Sequence, residues 1–361
     1  MFRSIFFHFL FFFLITLTAC KSRKHISIKF HDEYVVQNDT VFSSSRIGGL
    51  SSIDYDPKSD QYYIVCDDAR HPRFYKASIE INNNKIEDIR FTAPIKVQNP
   101  EEKTLDLEAL RLSDNNTLVF TSEGSVKNNS NPAIFTTELN GTFIDAFKLP
   151  DNLLATGSNA PRHNAVFEGL TPDIHNKGFW ASMELPLQKD GEEPSFLHQG
   201  APARITFFDK KSKTPSFQFT YPLDKLARDP KGKFGVNGIT GLVQITTDLF
   251  IILERGYVSG YGTQGNTVKL YVADKKNATN TLHQTSLSDA PYSSASKKLL
   301  FDFESVRAKL TNNIVDNIEG ITIGPTLPNG NPSLILIADN NFNPSDIQIN
   351  QFILMELIIK K

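Results

Sequence analysis

One short segment recurs five times along the 361-residue chain, and it restricts the fold more than any other feature. Each copy holds a Gly-Leu-like dipeptide, an apolar run, a turn, a second apolar run and then an acid. The copies read Gly48-Gly49-Leu50 to Asp67-Asp68, Glu108-Ala109-Leu110 to Glu123, Glu168-Gly169-Leu170 to Glu184, Thr240-Gly241-Leu242 to Glu254, and Glu319-Gly320-Ile321 to Asp339. Leu50, Leu110, Leu170, Leu242 and Ile321 stand 60, 60, 72 and 79 residues apart, room for one unit of several strands and loops. The turns are polar or contain Gly and Pro, as in Asp56-Pro57-Lys58 and Pro328-Asn329-Gly330, and β-rich runs such as Leu334 to Ile337 flank them. That is a hairpin pattern.

Two more strand-like runs usually follow each hairpin, for example Ala203 to Phe208 and Ser216 to Tyr221. Four antiparallel strands per unit, repeated about an axis, describe an all-β propeller blade. The fifth unit has one clear strand after its hairpin, Gln351 to Ile359, and Ile26 to Val36 is expected to supply the fourth and close the ring. Five blades are counted. A sixth has room between Thr279 and Asp316, although Phe301 to Leu310 reads as a helix in an insertion. A pair of β-sandwiches would leave the repeated acidic punctuation without a reason.

The start of the chain reads as an address. Arg3 precedes an apolar run from Ile5 to Leu17, followed by Leu17-Thr18-Ala19-Cys20. The run is shorter than the roughly 20 residues that span a bilayer as a helix, and small residues before a cysteine suit a lipoprotein cleavage box. The expected organisation is a signal peptide over 1–19, a lipidated Cys20 with linker and closing strand over 20–45, and the propeller over 46–361. Such a protein is expected to be a monomer held on a bacterial envelope membrane by its lipid, facing the periplasm or the cell surface. Cys66 is then the one other cysteine, so no intrachain disulfide forms, and its apolar surroundings read as core. Lys plus Arg number 38 against 40 Asp plus Glu, a near-balance that gives no footprint for nucleic acid.

In an antiparallel hairpin the start of the first strand and the end of the second share one edge. If the first strand is innermost, Glu108, Glu168 and Glu319 surround one mouth of the channel, with Asp67, Asp68, Glu123, Glu184, Glu254 and Asp339 beside them. Arg46, Arg70, Arg162 and Arg255 fall within a few residues of those points. Crowded carboxylates need cations. Hard oxygen ligands from several loops suit Ca²⁺, whereas the His and Cys clusters that Zn²⁺ prefers are missing from the sequence. The expected metal ligands are Glu108, Glu123, Glu168, Glu254, Glu319 and Asp339.

These residues resemble the phytase-like family, described as having esterase-like activity of phytase. The resemblance runs from about Arg46 to Leu357. It is carried by Arg162-His163-Asn164-Ala165-Val166-Phe167-Glu168-Gly169-Leu170 with Ala181-Ser182-Met183-Glu184, by Asn317-Ile318-Glu319-Gly320-Ile321 with Ala338-Asp339-Asn340-Asn341-Phe342, and by Leu253-Glu254-Arg255-Gly256. It implies a propeller-like fold, functional acids and a phosphoesterase or esterase role. The first acid is absent at Gly48 and at Thr240.

Two functions compete. In a calcium-assisted hydrolase of a small anionic ester, Glu168 and Glu184 belong to the catalytic set, one glutamate acting as general base. Arg162 or Arg255 grips the anion and His163 protonates the leaving group. In a non-catalytic lipoprotein, the same ring captures a cation, a basic peptide or another envelope ligand. No Gly-x-Ser-x-Gly elbow, phosphate-binding Gly-rich loop with Lys, or His-Glu-x-x-His pair is present.

Overall fold

A computed structural model describes residues 25–360, except 44, 93, 99–104, 115 and 344–347. The leader over 1–19 and Cys20 lie outside the described residues. Five antiparallel sheets make five blades among the described residues, four of them four-stranded and the first carrying a short fifth strand, Ile95–Lys96, beside Arg73–Asn82. Blade I holds Leu50–Asp56, Gln61–Cys66, Arg73–Asn82 and Lys85–Phe91; blade II holds Leu107–Ser113, Thr117–Ser122, Ala133–Glu138 and Phe143–Ala146. Blade III holds Phe167–Pro172, Gly178–Met183, Pro202–Asp209 and Thr214–Pro222; blade IV holds Gly235–Gln244, Leu249–Val258, Asn266–Asp274 and Ser296–Asp302. Blade V holds Ile318–Thr326, Pro332–Ala338, Asn350–Lys360 and, as its outermost strand, His25–Val36. The first strand of each blade packs against the first strand of the next, and blade V returns to blade I, so the ring is closed.

The closing strand is the expected one. His25–Val36 pairs with the C-terminal strand from His25 opposite Lys360 to Val36 opposite Asn350, and both termini of the propeller therefore share one blade. Apolar side chains fill the seams between blades. Trp180 of blade III, for example, meets Phe207, Phe217, Phe219 and Phe250 at ring-centroid distances of 5.0, 6.0, 5.6 and 5.3 Å. Phe250 belongs to blade IV, so this cluster joins two sheets by tilted and edge-to-face contacts that add about 0.5–1.5 kcal/mol per pair beyond their buried area.

The stretch from Thr279 to Asp316 is not a sixth blade. Ser296–Asp302 completes blade IV, and the residues before it pack on blade III through Thr281 N–H to Gln218 O and Ala295 N–H to Thr220 O. The expected helix over Phe301 to Leu310 is absent too. Its spacing of Phe303, Val306 and Leu310 buries one side as a helix would, yet three separate 3-10 turns form, at Phe303–Ser305, Arg307–Lys309 and Thr311–Asn313. Asp302 starts the first by accepting the Glu304 N–H, and extended backbone at Leu310 stops propagation.

Polar links also join the inner strands. Arg111 of blade II donates to Ser52 Oγ and Ile53 O of blade I at 3.1 and 3.0 Å, and to Ile321 O of blade V at 2.8 Å. The nearby Asp54 carboxylate accepts from Leu112 N–H and Thr322 Oγ1. These links stitch three inner strands together.

Candidate functional site

Each inner strand carries a β-bulge near its start. In blade III, Phe167 pairs with Met183 and Gly169 with Ser182, so Glu168 is extra and unpaired. The same slip leaves Ser51, Thr240 and Glu319 extra in blades I, IV and V, and places Glu108 in the bulge of blade II. A bulge re-aims one side chain out of the pleat alternation. Glu108, Glu168 and Glu319 thereby line the cavity at the channel mouth, whereas Ser51 and Thr240 donate to the Leu107 and Ile318 carbonyls of the next blade. Two residues before each bulge, a carbonyl accepts the N–H that follows the second strand: Asp67 N–H to Gly49 O, Glu123 to Asp106 O, Glu184 to Val166 O and Asp339 to Asn317 O. The two acids of a hairpin are thereby fixed at one edge.

This register corrects two readings of the repeat. In blade I the counterpart of Glu168-Gly169-Leu170 is Ser51-Ser52-Ile53, not Gly48-Gly49-Leu50. The two glycines serve another purpose, since a Cβ on Gly49, where φ is +63°, would stand 2.6 Å from the Phe342 ring. In blade IV, Ile239 pairs with Glu254, the register of Phe167 with Met183, so the second-acid position belongs to Arg255. A slip of one residue flips a strand side chain to the other face. Glu254 accordingly leaves the ring: it accepts from Tyr221 Oη and Asn237 Nδ2 and pairs with Lys297 at 2.6 Å.

The mouth opens on a cavity of about 610 Å³ lined by Asp67, Asp106, Glu108, Glu168, Glu184, Asp316, Glu319 and Asp339. Arg255 is the one basic side chain on that lining among the described residues. Its Nη2 lies 2.9 Å from Glu319 Oε1 and 3.8 Å from Glu184 Oε1, and its buried Nε has no hydrogen-bond partner among the described residues. Glu123, buried and accepting the Val166 N–H, meets Glu108 and Glu168 so closely that one ligand oxygen of each lies within 4.8 Å of the others. Asp67, Asp106 and Glu108 form a second such trio, so Glu108 belongs to both. These acidic clusters offer oxygen ligands at spacings a metal ion can bridge.

Burial with so little compensating charge raises the acids. Glu108, Glu168 and Asp67 are pushed well above the carboxylate range, first by burial and then by neighbouring carboxylates: Glu168 for Glu108, Glu184 for Glu168 and Asp339 for Asp67. Glu123 is pushed up to about 8 by burial against the pull of the Val166 N–H, and Asp339 to about 8 by burial and Glu319. Glu184 rises to about 7, burial outweighing the Arg255 guanidinium. Asp316, which also accepts Ile349 and Asn317 N–H groups, rises to about 6 by burial.

The other expected residues lie elsewhere. Arg162 pairs with Glu193 at 3.1 Å and donates to Pro186 and Gly191 carbonyls, while exposed His163 lines no part of the cavity, although Asn164 does. Asp68 binds Arg73, and Arg46 donates to Asn38, Phe342 and Asn343 carbonyls. Conversely, Asp106, Asp316, Asn317 and Asn341 line the cavity without having been marked by the repeat. Asp106 and Asn317 stand two residues before Glu108 and Glu319, the position whose carbonyl joins the hairpin edges.

A family model described as phytase-like, esterase-like activity of phytase, matches residues 45–342. The chain belongs to that family. Among curated proteins no relative matches. Solved structures with similar folds include an endo-arabinase of Bacteroides thetaiotaomicron, 13% identical, with a TM-score of 0.46 and covering 88% of this chain and 96% of its own. A β-fructofuranosidase of Bombyx mori is 10% identical over 94% of this chain and 65% of its own, with a TM-score of 0.44. A gluconolactonase of Xanthomonas campestris is 8% identical over 85% and 71%, with a TM-score of 0.36. For this phytase-like protein the five-bladed assignment rests on its own sheets, and its chemistry has to be argued from its own cavity.

Proposed function

We propose that the protein is a calcium-assisted phosphoesterase acting on a small anionic ester. The observation that carries this reading is the pair of carboxylate trios sharing Glu108, of whose five members Asp67, Asp106, Glu108 and Glu168 line the cavity. Asp67, Asp106, Glu108, Glu123 and Glu168 would hold the ion, and an all-oxygen, irregular set from two or three blades suits Ca²⁺ better than metals that favour nitrogen or sulfur. An ion held there would supply positive charge against the phosphoryl oxygens. Arg255, which lines the cavity, offers its guanidinium charge to the same anion while Glu319 at 2.9 Å holds it in place. Glu184 stands outside both trios and its pKa of about 7 suits proton transfer near neutrality. Water attacks phosphorus, the P–O ester bond breaks, the protonated Glu184 carboxyl gives its proton to the departing alkoxide, and the phosphate formed returns one proton of the attacking water to the Glu184 carboxylate. The test is phosphate release from phosphomonoesters, phosphodiesters and phytate with calcium and with chelator. Turnover that persists in chelator contradicts the reading, and calcium binding without turnover on any ester favours a binding propeller.

We further propose attachment to the bacterial envelope through lipid on Cys20, supported by the leader, with the near-balance of charge favouring a partner other than nucleic acid. His25 sits opposite Lys360, at the end of blade V away from the cavity, so a membrane attached there faces the far side and the mouth faces outward. Cys20→Ser is expected to move the protein from the membrane fraction to the soluble fraction. An unchanged membrane fraction contradicts the anchor.

A further inference from the structure

The cavity is asymmetric, and its odd side is blade IV. Thr240 occupies the bulge there in place of an acid, and Arg255 takes the place of the second acid. Above them the same blade lines the cavity with Phe234, Val236 and Tyr257. Phe234 is 57% exposed, a large apolar surface facing water in an otherwise polar cavity. Its backbone is nevertheless pinned: Ser259 Oγ accepts the Phe234 N–H, and the Phe234 carbonyl accepts the Ser259 N–H and Oγ–H. The Tyr257 ring stands 6.2 Å from it, held by Gly265, where a Cβ would come within 2.7 Å of the tyrosine ring. An exposed ring on a pinned backbone beside a polar site is a stacking platform whose main chain needs no ordering when a ligand arrives.

Resting on the phosphoesterase reading, we infer that blade IV selects the substrate: a phosphomonoester whose alcohol carries one flat ring, aryl or nucleoside, stacked on Phe234 with its phosphoryl group between Arg255 and the carboxylate-bound ion. Charge counting points the same way. A densely phosphorylated polyol needs several cationic partners, and Arg255 is the one guanidinium on the lining among the described residues. The nearby Arg228 and Lys231 stack on Tyr261 at 5.0 and 4.5 Å from its centroid, outside that lining.

The experiment measures kcat/KM in calcium for a nucleoside 5′-monophosphate, glycerol phosphate and phytate, in the native protein and in Phe234→Ala and Phe234→Leu. Taking the ratio between the ester substrates cancels any general loss of folding or metal. The expected result is a nucleoside-to-glycerol ratio that falls about tenfold in Phe234→Ala and partly in Phe234→Leu, because the stacked face is lost and then only the apolar area returns. A ratio unchanged in both variants, or phytate preferred by the native protein, overturns the inference while leaving the phosphoesterase intact. No turnover of any of the three while a phosphodiester is hydrolysed overturns the inference alone, and no turnover of any phosphoester overturns the phosphoesterase reading and the inference with it.

Discussion

Glu168→Gln is expected to lower calcium-dependent phosphate release by about 10²–10³-fold while raising the melting temperature of the metal-free protein. The two effects have opposite signs for one reason. Glu168 is the bulge residue of blade III, buried against Glu108 and Glu123, and its charged form is opposed first by burial and next by Glu184. Glutamine keeps the shape and removes the charge. The metal-free ring then repels itself less, which stabilises the fold. The cation and the developing negative charge on phosphorus lose a partner in a dry site, where such charges count most. This is the trade that functional sites show, stability given up for a poised charge. Phosphate assays and thermal melts in chelator check both halves. A lower melting temperature with unchanged turnover would make Glu168 a structural residue.

The second large effect concerns pH. Glu123 and Asp339 are raised to about 8 and Glu184 to about 7, from ordinary values of 4.5, 3.8 and 4.5. A carboxyl raised in the folded state holds a proton that the unfolded chain releases. Its contribution is therefore fully present below the unfolded pKa and is lost as pH climbs toward the folded one. Without divalent cation, stability should fall between about pH 4.5 and 8, opposite in direction to the acid denaturation driven by paired carboxylates. Because the sites interact, the sum rather than each site is meaningful: on the order of several kcal/mol, or roughly 5–10 °C for a chain of this size. Calcium, binding the ionised ring of the folded state alone, should flatten or reverse the slope. Melts from pH 5 to 8, in chelator and in calcium, decide this. A flat or rising profile in chelator contradicts a ring of uncompensated buried acids.

What the sequence shows and what it hides follow from the geometry of strands. Hairpins are local, so the repeated turns and apolar runs exposed five blades, and the leftover strand at Ile26 to Val36 matched the gap in the last one. Register is not local. The Gly-Leu dipeptide looks the same whether or not it sits on the bulge, and in blade I it sits three residues early because Gly48 and Gly49 make room for Asn340 and Phe342. Glu254 and Arg255 are adjacent in sequence but face opposite sides of one strand, and only the pairing of Ile239 with Glu254 tells which enters the ring. Asp106 was hidden for a related reason. Alternation puts it beside Glu108, yet it precedes the repeated dipeptide and so falls outside the pattern. Arg162 carries part of the family motif but directs its donors to Glu193 and two carbonyls, a fate set by the loop between the second and third strands of blade III that no local pattern encodes.

The central claim is that the acids around Glu108 form a calcium site. Calorimetric titration of the native protein with calcium near neutral pH, in two buffers of different ionisation heat, measures affinity and proton release together. Saturable binding is expected, with about one or more protons released per ion, since raised carboxyls must ionise to bind, and with a loss of about a hundredfold in affinity in Glu108→Gln. Binding without proton release, equal binding by Glu108→Gln, or no binding would contradict it.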